Sequence, residues 1–195
     1  MPHITRESLM TLEAYARARE EFRARVMAHK KNRTVRLGEH VTVIFEDELT
    51  MRYQVQEMLR AERIFEEEGI RHELDVYNPL IPDGSNWKAT MMIEYPDAAE
   101  RQRMLAKLIG VEDRVWVGVG ERPPVYAIAD EDLERDTTEK TSSVHFLRFE
   151  LDSPMVESLR ADARLAIGID HPHYRAAVDD VDRAVRASLL SDLAS

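Results

Sequence analysis

Short β-branched runs, set between helical stripes at irregular intervals, constrain this chain more than any other feature. Residues 35–45, 88–95, 114–119, 125–129, 144–151 and 164–169 read as strands. The helical stripes between them do not recur at the spacing that parallel βαβ units require. The pattern therefore predicts an α+β fold, a mostly antiparallel sheet packed against helices, with a helix at each end. The 195 residues suffice for one sizeable domain. We divide it into a helical N-terminal segment (5–32), an α+β core (35–171) and a C-terminal helix (174–193).

The first helix takes Thr5 or Ser8 as its cap and is carried by Leu9, Leu12, Ala16, Phe22 and Val26. Glu46-Asp47-Glu48 opens a second helix, which the reading extends to Glu68, with Gly69 ending it. Residues 75–87 form a proline-stiffened loop, and Pro96-Asp97 starts a helix through Leu108. A hairpin joins 114–119 to 125–129, and a charged loop spans 130–141. Ser153-Pro154 begins a short helix. The last helix starts near Tyr174 and uses Val178, Val181, Val185 and Leu189.

Within the second helix, Met51, Val55, Met58 and Phe65 set a stride whose missing apolar step is Glu62. At 100° per residue Glu62 falls within about 20° of Met51, so the stripe predicts a carboxylate facing the core. Such a group needs a cation, a metal, a proton or water. Glu66, one turn later, could share that counterpart, and Arg148 or an arginine of the first helix could supply it as a buried structural bridge. The expected buried polar set is Glu62, Glu66 and Arg148.

His145 shares a strand face with Leu147 and Phe149, whereas Arg148 lies on the other face with Phe146 and Glu150. In apolar company His145 reads first as a core histidine, and beside a carboxylate as half of an acid–base pair. His171 and His173 flank Pro172, and an extended chain would put both imidazoles on one side. The candidate metal ligands are accordingly His145, His171, His173 and Glu62, the alternative for the His-Pro-His segment being a stiffened turn. Other chemistries find no support. Seven glycines include neither a dinucleotide-binding nor a P-loop pattern. No nucleophile elbow surrounds the hydroxyls at 137–143. Zero cysteines exclude thiolate chemistry and fit a cytoplasmic protein, and no stretch reaches membrane-spanning length. Two Glu-x-x-His motifs, which a di-iron carboxylate bundle needs, are also missing.

The net charge of −10 is unevenly placed. Arg17, Arg19, Arg23, Arg25, Lys30, Lys31, Arg33 and Arg36, against Glu20 and Glu21, give residues 17–36 a charge of +6. That segment could dock an acidic partner through Arg17, Arg19, Arg23, Arg25, Lys30 and Lys31, or remain a solvated helix face. Nucleic-acid binding through it is the weaker alternative, because the acidic remainder would repel a long phosphate backbone.

Several segments resemble a family of bacterial proteins known by a domain-of-unknown-function label. They are Ser8-Leu9-Met10-Thr11-Leu12-Glu13-Ala14-Tyr15, Met27-Ala28-His29-Lys30-Lys31, Leu37-Gly38-Glu39-His40 and Phe45-Glu46-Asp47-Glu48 through Met58-Leu59-Arg60. Tyr77-Asn78-Pro79-Leu80-Ile81-Pro82-Asp83-Gly84 and Ser142-Ser143-Val144-His145-Phe146-Leu147-Arg148-Phe149 continue the likeness, which runs to about Tyr174. Members of that family tend to be encoded near rubrerythrin and a cysteine-rich iron–sulfur oxidoreductase subunit. The resemblance implies a setting of peroxide, iron or electron transfer, with those proteins as partners and no established catalytic residue. Two functions are therefore expected. One is an accessory protein for redox or oxidative-stress partners that docks through its basic helix. The other is a small metal-dependent enzyme or metal-binding protein holding iron or zinc.

Overall fold

We describe a computed structural model covering residues 3–133 and 135–194. The expected α+β class holds: six α-helices accompany two antiparallel sheets among these residues. Helix α1 (Leu12–Lys31) leads into a hairpin of β1 (Thr34–Leu37) and β2 (Val41–Glu46), turned at Gly38 with φ +71°. Then follow α2 (Glu48–Ala61), α3 (Glu67–Tyr77), β3 (Asn86–Ile93), α4 (Ala98–Lys107) and β4 (Val115–Val119). After β5 (Val125–Tyr126) and β6 (Ile128–Ala129) come β7 (Val144–Glu150), α5 (Ser153–Arg160), β8 (Leu165–His171), β9 (Tyr174–Val178) and α6 (Arg183–Leu190). One sheet runs β1-β2-β3-β7-β6 and the other β5-β4-β8-β9.

Period-two alternation sorts the strands. Val43, Phe45, Trp87, Ala89, Met91, Leu147 and Phe149 of the first sheet share one apolar cluster with Val115, Val117, Val119, Leu165, Ile167 and Ile169 of the second. Leu105 of α4, Met155 and Leu159 of α5, and Val185 and Leu189 of α6 join it. A separate helical layer, α1 to α3, builds two smaller clusters around Tyr15, Phe22 and Val26, and around Met51, Val55 and Leu59.

Five segments differ from the sequence reading. The first helix starts only at Leu12, capped by Thr11, while Thr5 caps a separate 3-10 turn at Arg6–Ser8. The second helix stops at Ala61, because the chain turns left-handed at Arg63, φ 54°. The Ile64 amide returns to the Leu59 carbonyl at 2.8 Å and the Arg63 amide to Arg60 at 3.4 Å, a Schellman stop that tucks Ile64 onto the Leu59 cluster. The stripe is thus Met51–Val55–Leu59, Gly69 lies inside α3, and that helix replaces the start of the expected loop. Residues 35–45 are a hairpin rather than one strand. The hairpin partner 125–129 divides: Val125 and Tyr126 pair with β4, whereas Ile128 and Ala129 cross to β7. Tyr174 begins strand β9, not the last helix, because its register continues the hairpin through His171↔Tyr174 and Asp170↔Arg175. The final helix starts only at Arg183, capped by Asp182.

The layers are pinned at Arg33, which is fully buried. Its Nε donates to the Phe45 carbonyl at 2.9 Å, and its Nη atoms donate to Glu46 and Ser188. They also pair with Asp192, and lie 3.5 Å from Asp47, the N-cap of α2. His29 meets the same Asp47 at 2.5 Å.

Two predictions follow from this geometry. Arg33→Met leaves Asp192 and Asp47 without their buried cation and should cost about 3–5 kcal/mol in urea denaturation. A loss under ~1 kcal/mol would show that the layers do not depend on it. Conversely, Arg63→Gly removes a β-carbon from a left-handed site and should raise stability by up to about 1 kcal/mol.

Candidate metal centre

Glu62 does not face the core. It is the exposed C-cap of α2, and Glu66 is the exposed N-cap of α3, both carried outward by the stop at Arg63. Phe65, the expected end of the stripe, is 71% exposed. Arg148 is partly buried but pairs locally, bidentate with Glu131 at 2.8 and 2.7 Å and also with Glu150, far from any role for Glu62. Those two carboxylates raise its pKa further.

The histidines also separate. His171 is buried at the β8–β9 turn, where its Nε2 donates to the Ile109 carbonyl at 3.1 Å and its Nδ1 accepts from the His173 amide at 3.2 Å. Both nitrogens are committed, and His173 is exposed. The His-Pro-His segment is therefore the stiffened turn, now between two strands.

His145 behaves as its strand face predicts and is fully buried. What it meets comes from elsewhere in the chain. One nitrogen of His145 and one carboxylate oxygen each of Glu112 and Asp130 lie within 4.8 Å of one another, the one such grouping among the described residues. Glu112 sits on a short 3-10 turn between α4 and β4, and Asp130 follows β6 directly. Their convergence depends on the strand-to-strand crossing at Ala127, whose amide still bonds to Val115 at 2.8 Å while the next two residues pair with β7.

Asp130 adopts φ 49°, a left-handed conformation that aspartate tolerates better than bulkier residues. Its Oδ1 accepts from the Phe146 amide at 2.9 Å and from Arg135 at 3.0 Å, and its Oδ2 lies 2.6 Å from His145 Nδ1. On the other side of the ring, Nε2 lies 2.8 Å from Thr141 Oγ1 and 3.1 Å from the Ser142 carbonyl. The Thr141 hydroxyl donates to Asp136, so its lone pairs face the ring and Nε2 carries the hydrogen. Nδ1 then needs either a proton or a metal ion, since its bare lone pair would repel the carboxylate.

Glu112 is the least satisfied member. Its Oε2 is buried with no hydrogen-bond partner. Burial pushes its carboxyl up to about 7, with Asp136 and Asp113 adding repulsion, while its own backbone amide and His145 pull the other way. A cleft of about 330 Å³ opens onto Glu112, Asp130, Asp136 and Gly110. The Gly110 amide holds Asp136 Oδ2 at 2.8 Å, fixing the wall of that cleft.

Sequence reasoning missed Glu112 and Asp130. The available signal was indirect: an inward histidine needs a polar partner, and the charged loop preceding its strand begins with Asp130. Glu112 is more than thirty positions away and gives no local signal.

The basic face is also smaller than its charge count. Arg33 is buried, Arg19 clamps Glu57 at 2.7 and 3.0 Å, and Lys30 lies over the Tyr53 ring. Arg17, Arg23, Arg25 and Lys31 remain exposed, with Glu20 and Glu21 set among them one turn apart. No described helix is long and apolar enough to cross a membrane.

A family model described as a protein of unknown function, DUF3501, matches residues 3–193. The crystal structure of a novel protein of unknown function from Burkholderia pseudomallei K96243 is similar at 58% identity and a TM-score of 0.94, the match covering 100% of both chains. No curated protein matches the chain.

The raised Glu112 carboxyl predicts a pH signature. In metal-free protein the folded chain keeps this proton between about 4.5 and about 7, where the unfolded chain has released it. Stability from this group is therefore present below pH 4.5 and lost as pH rises through 7. Relative to Glu112→Gln, the natural protein should lose on the order of 2–3 kcal/mol between pH 5 and pH 8, read from urea midpoints in chelator. Parallel curves would mean that the carboxyl is not held in a desolvated state.

Proposed function

We propose that this chain, which belongs to the DUF3501 family, binds a divalent metal ion through His145, Asp130 and Glu112. The observation that carries the reading is the buried, unpartnered Oε2 of Glu112 beside a histidine–carboxylate pair. A desolvated carboxylate oxygen without a donor is costly, and a cation bound there offsets that cost. The donor set is one imidazole and hard oxygens, with no thiolate available, which suits iron(II), manganese or zinc. His145 is oriented as metal ligands usually are, its Nε2 hydrogen pointing to Thr141 and the Ser142 carbonyl while Nδ1 faces the cluster. Three protein ligands leave coordination positions open towards the cleft, the arrangement of a site that binds a further small ligand or activates water. Held as iron, the ion would also give an accessory role beside redox partners a physical basis, because the chain has no cysteine with which to carry electrons.

Elemental analysis of protein purified without an affinity histidine tag should find about one equivalent of iron, manganese or zinc per chain. His145→Ala and Glu112→Gln should each weaken uptake at least ~100-fold in titration calorimetry with Mn²⁺ or Zn²⁺. Protein that carries no metal and takes none up would overturn the reading, as would full-strength binding by both variants.

A further inference from the structure

Lys88 stands on the opposite face of the first sheet from His145 and has a different chemistry. Alternation places Lys88 outward between Trp87 and Ala89, which are both buried. The pairing register sets it directly between Glu46 of β2 and Arg148 of β7. An ion pair with Glu46 would be the ordinary outcome for that cross-strand arrangement. It does not form: no acidic oxygen lies within ion-pair reach of Lys88 among the described residues, and Glu46 turns to Thr90 at 2.8 Å. Nearby Glu131 and Glu150 are both taken by Arg148. Lys88 instead lines a cleft of about 390 Å³, with an apolar wall of Pro79, Leu80, Phe146 and Leu147 and a charged rim of Arg148, Glu131 and Asp132.

A half-buried amine that makes no ion pair, sits in register with a guanidinium and faces a cleft with one apolar wall is a setting in which lysines act as nucleophiles. We infer that Lys88 is a reactive amine that forms an imine with a small aldehyde or ketone held in this cleft. The neutral Nζ adds its lone pair to the carbonyl carbon. The resulting carbinolamine loses its hydroxyl as water, leaving a C=N bond, so that amine and carbonyl become imine and water with no oxidant or reductant. Pro79, Leu80 and Phe146 would receive the apolar body of the carbonyl compound. Burial first, and then the charge of Arg148, lower the Lys88 pKa against the opposing pull of Glu131, Asp83 and Glu150, and the net direction favours the neutral amine.

Competitive labelling tests this cleanly, because the only other lysines are Lys30, Lys31, Lys107 and Lys140. The full chain is treated with limiting acetaldehyde and sodium cyanoborohydride at pH 7, which fixes any imine as a secondary amine, and the sites are mapped by peptide mass spectrometry. Lys88 should be alkylated at least ~10-fold faster than the other four, and the preference should vanish in urea. Arg148→Gln, confirmed folded by circular dichroism, should slow Lys88 labelling while leaving Lys107 and Lys140 unchanged. Lys88 reacting no faster than the other lysines in the folded chain overturns the inference, as does a preference that survives in urea. The readout needs no metal, so it stands or falls separately from the centre at His145.

Discussion

A guanidinium withdrawn completely from water holds the layers of this protein together. Arg33 leaves the end of α1 and serves the β2 carbonyls, the N-cap of α2 and the C-terminal end of α6 at once. A planar fork with five donors can do this, whereas an ammonium cannot. The arrangement matters because the helical layer and the sheet layer have separate apolar clusters. Hydrophobic burial inside each says little about their relative placement, and directional hydrogen bonds to fixed carbonyls supply it. Inside the sheet layer's own cluster, the Trp87 indole donates to the Leu189 carbonyl at 2.9 Å and fixes α6 against β3.

How far the chain could be read without coordinates depends on the range of the determining interactions. Period-two alternation correctly placed His145 and Arg148 on opposite faces, because a strand buried on one face leaves no other choice. Arg148 is nevertheless only partly buried and pairs with Glu131 and Glu150 rather than with Glu62. Asp97 and Asp182 cap helices through bonds to amides two or three residues on, and the Pro96-Asp97 start was legible for that reason. The failures share a different cause. Extending the α2 stripe to Glu62 assumed that periodicity continues past Ala61, but a left-handed Arg63 ends it without a glycine to announce the stop. Helical spacing of Val178, Val181, Val185 and Leu189 concealed strand β9, whose identity rests on pairing with β8. Glu112 could not be read at all, since its significance exists only once the 3-10 turn before β4, the crossing strand and β7 have converged.

Both candidate chemistries trace to one strand. His145 and Phe146 are consecutive, so alternation sends one into the carboxylate cluster and the other into the Lys88 cleft. Asp130 touches both residues, accepting from the Phe146 amide and meeting the His145 ring. Arg135 completes the connection, bonding Asp130 while its guanidinium lies 4.7 Å from the Phe146 ring centroid. The loop between β6 and β7 is therefore the shared wall of two sites on opposite faces of one sheet.

That sharing has a physical consequence for how the sites can influence each other. A metal ion held at the proposed centre would draw on Asp130 Oδ2 and so on the same carboxylate that accepts from Arg135. Arg135 is also clamped by Asp132 at 2.6 and 2.7 Å, so a weakened hold by Asp130 leaves the guanidinium anchored by its other partner, over Phe146. Coupling between the faces would pass through the position of this one side chain rather than through the backbone of β7, whose ladder to β3 is continuous from Val144 to Glu150. Strand and loop thus have separate duties: the ladder fixes which residue faces which site, and the Arg135 side chain links Asp130 of one site to the Phe146 ring of the other.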